Sequence, residues 1–274
     1  VIGGAARGPL RGPAARFGGR GARPLWTPAE LILTFGPRMI WNNDEYPLLD
    51  EYWQDRSGDG RELVAPAPPA TTTIDGKQAV VCTTAGGEFN HTGPYLSYTT
   101  NVQSIILAAV VRVDGALPLA TQRHVINFDN SAGNAFRWCL QFQTTGEVRA
   151  GGRIRDADTA IFTTGTTVCQ PGDVQLVVGI LRPISDYIAV RINGTLENSD
   201  ATWQPGGPAI NAVASGDLDI GDADMTLCEV VAIYENAANV NGLETLIEGY
   251  LAHRWGIAHK LDALHPYKHK APRR

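Results

Sequence analysis

The chain has 274 residues, enough to bury a large core, and sequences of this size fold as one all-β domain about as readily as they divide in two. Charged residues make up only 19% and hydrophobic residues 43%, with 30 Gly and 17 Pro, a composition suited to short strands and many turns. The net charge of -5 argues against a nucleic-acid-binding surface on the body of the protein, and no apolar segment is long enough to span a membrane.

The first 25 residues stand apart. They hold Arg7, Arg11, Arg16, Arg20 and Arg23, and no acidic residue occurs before Glu30. So rich in Gly and Pro, this stretch has almost nothing to bury and is expected to be an extended arm that orders only against a partner. No apolar run follows the early arginines, so a secretory signal is not expected. The many helix breakers oppose a mitochondrial presequence.

After the arm, Thr27 and Pro28 suit the N-cap and first residue of a helix. Residues 55–61 read as a tight polar turn, and the Pro-rich segment 65–70 as a stiff extended connector. Strands are expected at 79–83, 104–113, 124–128, 135–143, 147–154, 174–181, 187–192, 218–220 and 226–234. Phe136, Trp138, Leu140 and Phe142 alternate with Arg137, Cys139, Gln141 and Gln143, the period-two pattern of a strand with one buried face. Asn193 and Gly194 between two such runs form the strongest hairpin signal in the chain.

The final element reads as an amphipathic helix. Leu243, Leu246, Ile247, Tyr250 and Leu251 share one face, while Glu244, Glu248, His253 and Arg254 mostly fall on the other. Asn241 and Glu244 have capping-box spacing, and Gly256 suits a left-handed stop. The expected fold is an all-β antiparallel sandwich, a jelly roll, with one C-terminal helix, the arm spanning 1–25 and the sandwich 26–274.

Four cysteines, Cys82, Cys139, Cys169 and Cys228, are widely spaced with no Cys-x-x-Cys pair, so zinc and redox motifs have little support. Cys82, Cys139 and Cys228 lie within apolar runs, which favours free buried thiols over disulfides and assembly in a reducing cytoplasm.

In order along the chain stand Trp53-Gln-Asp-Arg-Ser-Gly-Asp-Gly-Arg61, Ile74-Asp-Gly-Lys-Gln-Ala-Val-Val81, Ile192-Asn-Gly-Thr195, Leu218-Asp-Ile-Gly221 and Glu229-Val-Val-Ala-Ile-Tyr234. They are followed by Ile247-Glu-Gly-Tyr-Leu-Ala-His-Arg-Trp-Gly-Ile257 and Leu264-His-Pro-Tyr267. This series resembles the concanavalin A-like, LamG-type jelly-roll proteins, especially those in phage virions. The resemblance covers 26–268 and leaves out the arm. It implies a lectin-like sandwich, a fold that hosts lectins, hydrolases and structural modules alike.

A glycan hydrolase needs two carboxylates about 5 to 10 Å apart. Asp217 and Asp219 share a strand face, but the Glu-x-Asp-x-x-Glu signature of hydrolases of this family is absent, and no catalytic residue is assigned. Calcium takes about 6 to 8 oxygen ligands and accepts irregular loops, which makes Asp217, Asp219, Asp222 and Asp224 a candidate set and Asp55, Ser57 and Asp59 a weaker one. The histidines, among them His253, His259, His265 and His269 near the C-terminus, lack a zinc-protease order and suit surface or capping roles. No Gly-x-Ser-x-Gly elbow or phosphate loop is present. Trp41, Tyr46, Tyr52, Tyr95, Tyr98 and Trp203 lie in turn-rich segments, and Trp41, Tyr95, Tyr98 and Trp203 are the candidate glycan contacts, with core packing the competing role. Asn90 and Asn193 begin sequons that matter only on a eukaryotic secretory route.

The expected function is a non-enzymatic virion protein, such as a capsid decoration protein, head fibre or tail-surface protein, assembled in the bacterial cytoplasm. Its arm would bind other virion proteins, the major capsid, spike or tail subunits, and the chain would form homo-oligomers. The alternative is a carbohydrate-binding module for host or environmental polysaccharide. Neither nucleic acid nor a membrane is an expected partner.

Overall fold

The longest apolar runs of the chain, at 104–113 and 174–181, become neighbouring strands in the middle of a sheet in the computed structural model. The structure describes residues 38–42, 52–53, 55, 62–83, 88–93, 102–130, 138–153, 158–203, 216–235 and 242–272. The arm arginines, the Thr27 helix start, Tyr46, Tyr95, Tyr98, Ser57 and Asp59 lie outside the described residues.

Among the described residues, two antiparallel sheets of eight strands face each other. Sheet A runs β14 (Thr195–Asp200), β13 (Tyr187–Ile192), β12 (Val174–Arg182), β7 (Ser104–Val113), β16 (Met225–Glu235), β5 (Lys77–Cys82) and β4 (Ala70–Ile74), with β1 (Arg38–Asn42) also paired to β16. Sheet B runs β11 (Ile161–Val168), β10 (Glu147–Gly152), β9 (Trp138–Phe142), β8 (Arg123–Asn130), β15 (Gly216–Ile220), β6 (Phe89–Gly93), β3 (Leu63–Val64) and β2 (Tyr52–Trp53). Each expected strand has a counterpart among the described residues, while Ala135, Phe136, Arg137 and Ile154 of the expected spans lie outside them. The strands that the apolar pattern does not mark include β4, β11 and β14, which are rich in Thr and polar residues. They lie at sheet edges, where strand pairing on one side suffices and little apolar surface is buried.

Period two sorts each central strand of sheet A into two cores. Leu107, Ala109, Val111, Val177 and Val190 meet Phe128, Trp138, Leu140 and Leu218 of sheet B between the sheets. The alternate residues Ile106, Ala108, Val110, Leu176, Val178 and Ile180 pack outward against Ile247, Tyr250, Leu251 and Trp255 of helix α1 (Leu243–Arg254). The protein is therefore three layers deep, helix on sheet on sheet, and sheet A is buried on both faces. At the sandwich edge, Glu197 of β14 ties the sheets together by accepting from the backbone N–H groups of Thr166 and Thr167 at 3.2 and 3.0 Å and from their hydroxyls at 2.8 and 2.9 Å. Among the described residues no helix is long and apolar enough to cross a membrane.

The expected hairpin closes β13 onto β14, with Asn193 and Gly194 both left-handed at φ 49° and 80°. That turn twists with the strands and favours Asn-Gly. Gly194 is needed for space as well, because a Cβ there would lie 2.7 Å from the His265 ring. Asn193 is occupied: its side-chain oxygen accepts from Leu176 N at 3.1 Å and its amide donates to Gln175 at 2.6 Å.

The terminal helix departs from a simple two-faced helix. Gly242 occupies the N-cap with no side-chain capping bond, and Asn241 of the expected capping box lies outside the described residues; Glu244 faces Arg182 at 3.5 Å. Glu248, expected on the solvent side, is fully buried. It accepts from Arg191 of β13 at 2.7 and 3.1 Å and lies 3.2 Å from His265 Nε2, so His265 is also buried rather than at the surface. The reason is tertiary: the tail after Gly256 folds back across that flank. Gly249 lets the Tyr267 ring approach to where its Cβ would lie at 2.6 Å, and His253 Nε2 sits 2.6 Å from the Tyr267 carbonyl oxygen. Gly256 provides the left-handed stop at φ 69°.

A second buried carboxylate holds the same helix from below. Between Leu227 and Glu229 the β16 register shifts against β7, and this bulge sends Cys228 and Glu229 to the same side of the sheet, beneath α1. Glu229 accepts from the Tyr250 hydroxyl at 2.8 Å and Trp255 Nε1 at 2.9 Å, and pairs with Arg254 at 2.9 Å. Removing it leaves a phenol, an indole N–H and a guanidinium without their shared acceptor. Glu229→Ala is expected to lower stability by about 3 to 5 kcal/mol, read from urea denaturation midpoints.

Candidate functional site

The outer face of sheet A is covered by α1, and the outer face of sheet B carries the polar residues of its strands. Its residues are set by register. Phe89, Ile126, Phe128, Trp138, Leu140, Val148, Leu218 and Ile220 point into the core, which turns the alternate positions outward. One row across six strands reads Asn90, Asp219, Asn127, Cys139, Gly151 and Phe162. A second row reads His124, Gln141, Arg149 and Thr164.

Asp219 accepts from Asn127 Nδ2 at 3.1 Å in the middle of this face. Asn127 is only 2% exposed, and among the described residues its Oδ1 is buried without a hydrogen-bond partner. A buried amide oxygen ordinarily finds a donor, so this acceptor is unspent capacity. Cys139 and Gln141 are fully buried beside it, while Asn90 is exposed and Asp217, Asp219 and Phe162 are partly so. The period-two expectation for β9 is thereby corrected: all five of its residues are buried, on both faces.

In the second row, Gln141 stands between His124 and Arg149. With its amide nitrogen donating to His124 Nε2 at 3.2 Å, its oxygen accepts from the Arg149 guanidinium. Arg149 lies 4.2 Å over the Phe162 ring and donates to Gln122 at 2.6 Å. Burial pushes His124 below its ordinary value of 6.5, and the Arg149 charge acts in the same direction, against Asp222. These groups hold position and charge but supply no nucleophile, since burial pushes the neighbouring Cys139 thiol up to about 12.

The four aspartates of the expected calcium loop do not converge. Asp222 and Asp224 flank the Arg123 guanidinium at 3.2 and 2.7 Å, so a protein cation already stands between them, whereas Asp219 is on the sheet face with Asn127. Among the described residues no three His, Cys, Asp or Glu side chains form a group able to hold a metal ion. Of the aromatic candidates, Trp41 in β1 and Trp203 are both fully buried in the inter-sheet core, and Trp203 Nε1 donates to the Gly152 carbonyl at 3.1 Å. Neither presents a ring to a sugar, because each has been drawn into the core as a large apolar side chain. The four cysteines are free and buried.

Because the folded state resists protonating His124 while the unfolded chain accepts a proton near 6.5, stability falls as pH drops through that value. His124→Gln is expected to flatten this dependence between about pH 7 and about pH 5, as read from denaturation midpoints at each pH.

No protein-family profile and no characterised protein sequence matches the chain. Solved structures of similar fold include the binding domain of Paraclostridial Mosquitocidal Protein 1, at TM-score 0.58 and 10% identity over 77% of this chain and 52% of that one. Botulinum neurotoxin type C, whose reported structure concerns its dependence on two ganglioside molecules, aligns at TM-score 0.58 and 11% identity over 82% of this chain and 53% of that one. The binding domain of botulinum neurotoxin DC in complex with SialylT aligns at TM-score 0.56 and 11% identity over 77% and 51%. The chain spans about half the length of each of these structures. At such identity the likeness establishes the β-sandwich fold and nothing more.

Proposed function

We propose that this chain is a non-catalytic, lectin-like recognition module that binds a polyhydroxylated glycan on the outer face of sheet B. The observation that carries the reading is the partly exposed Asp219 carboxylate, held by Asn127 Nδ2 at 3.1 Å and standing in register with the exposed Asn90 on the outer face of sheet B. Adjacent sugar hydroxyls each donate and accept, so a carboxylate and the exposed Asn90 amide in one row match their pattern. Phe162 at the far end of the row adds apolar surface for a pyranose face. The similar folds of toxin binding domains, some solved with a sialylated or ganglioside context in view, support a binding role in the same direction.

A glycan array with the whole chain tests the reading, and an array with no bound glycan removes it. Asp219→Asn and Asn127→Ala are each expected to weaken binding roughly tenfold, the effect of about one lost hydrogen bond in a desolvated site. Thermal melts of both variants check that folding is retained. Chelation of calcium is expected to leave affinity unchanged, because Arg123 already neutralises Asp222 and Asp224.

The finer reading places this module on a phage or phage-like particle, as a capsid decoration, head-fibre or tail-surface protein. It is supported by the resemblance of the motif series to phage jelly rolls and by an arm with five arginines and no acidic residue. Guanidinium groups on extended backbone suit acidic grooves between shell subunits. Deleting residues 1–25 is expected to abolish incorporation into particles while leaving a soluble protein, measured by co-sedimentation. Undiminished incorporation would count against the anchoring role.

A further inference from the structure

One guanidinium on the outer face of sheet B lacks a counter-charge. Arg112, Arg123, Arg182, Arg191 and Arg254 each pair with a carboxylate, whereas Arg149 of β10 pairs with none among the described residues. Glu147, two residues earlier on the strand, is held by the Thr145 hydroxyl, and a register shift separates it from Arg149. Neutral groups surround the guanidinium instead. The Phe162 ring lies 4.2 Å away, Gln122 Oε1 accepts from Nη2 at 2.6 Å, Gln141 accepts beside it, and the Gln143 side-chain oxygen accepts from Nη1 at 3.1 Å. Nη1 carries two of the five N–H groups yet meets Gln143 alone, so one donor is left over among the described residues.

We infer that Arg149 is the acid-recognition point of the glycan site, and that the ligand carries an oxyanion, a carboxylate or a sulfate ester, on one of its sugars. This inference rests on the glycan reading of the sheet B face. Gln141 is fully buried and, with the Phe162 ring, fixes the plane of the fork, which suits two-point recognition of an oxyanion. Gln122 is exposed and Gln143 partly so, which lets both amides turn aside for a stronger acceptor. Charge-assisted hydrogen bonds are roughly twice as strong as neutral ones, so an anion outcompetes these amides. Burial also pushes Arg149 below its ordinary value with no carboxylate opposing it, a cost that an anionic ligand removes. Asp219 does not interfere, because β15 is three strand spacings from β10, about 14 Å. That exceeds the screening length of about 8 Å in physiological salt. The acidic sugar therefore sits at the Arg149 end of the face and neutral hydroxyls at the Asp219 end.

The test uses the full chain on a glycan array that carries uronic-acid and sulfated oligosaccharides beside their carboxyl-reduced and desulfated matches. Acidic members are expected to bind about tenfold or more tighter than their neutral matches, and the pair that shows the preference identifies the oxyanion. Titration calorimetry then compares that pair on variants. Arg149→Gln is expected to bring the acidic member down to its neutral match, and Arg149→Lys, which keeps the charge without the fork, to retain part of the preference. Thermal melts of both variants check folding. Equal binding within every pair, or binding confined to neutral glycans, overturns the acid site and leaves the glycan reading standing. A preference that survives intact in folded Arg149→Gln also overturns it, and an array with no bound glycan removes both.

Discussion

The carboxylate of Glu229, buried beneath the terminal helix, is the interaction on which the layered arrangement depends. It stands where β16 bulges, and the bulge is what turns a charged side chain toward α1 in a mostly apolar strand. A buried carboxylate is tolerated only when its oxygens are fully engaged. Tyr250, Arg254 and Trp255 converge on it from the last turns of the helix, which sets both the rotation of α1 and its position along the sheet. Apolar packing alone would hold the helix against sheet A with far less directional preference.

Glu248 completes the arrangement on the helix's other flank. Through Arg191 and His265 it links the helix, the β13 strand and the returning tail, and Asp262 N donates to the Asn193 carbonyl at 2.9 Å to hold the tail on the hairpin. Helix, hairpin and tail therefore form one unit covering sheet A. The consequence for function is one of exclusion. With α1 and the tail seated there, the outer face of sheet A is closed, while the polar row from Asn90 to Phe162 crosses six strands of sheet B.

The same closure explains the run Glu248-Gly-Tyr-Leu-Ala-His-Arg-Trp-Gly256 residue by residue. Gly249 admits the Tyr267 ring, His253 meets the Tyr267 carbonyl, and Gly256 has no room for a Cβ, which would lie 2.5 Å from an Asp75 carboxylate oxygen. The run is thus a folding determinant. Its polar residues serve packing and position, which leaves the helix without a surface chemistry of its own.

Strand positions, the Asn193–Gly194 turn and the Gly256 stop were legible in the amino-acid sequence, because alternation and left-handed glycines are local properties of the chain. Helical periodicity likewise identified Ile247, Tyr250 and Leu251 as a packing face, yet it assigned Glu248 to solvent, since a period contains no information about a tail that returns across the helix. Trp41 and Trp203 looked available to a ligand by their turn-rich neighbours, and only sheet pairing and inter-sheet packing placed both in the core. The polar row of sheet B was invisible for a related reason: Asn90, Asn127, Cys139, Asp219 and Phe162 are scattered along the chain and become neighbours through cross-strand register alone. Sequence by itself determined which segments pair as strands and where the chain turns or stops. Tertiary structure decided which polar groups are buried and which face the helix covers, because burial and register are set by contacts between segments distant along the chain.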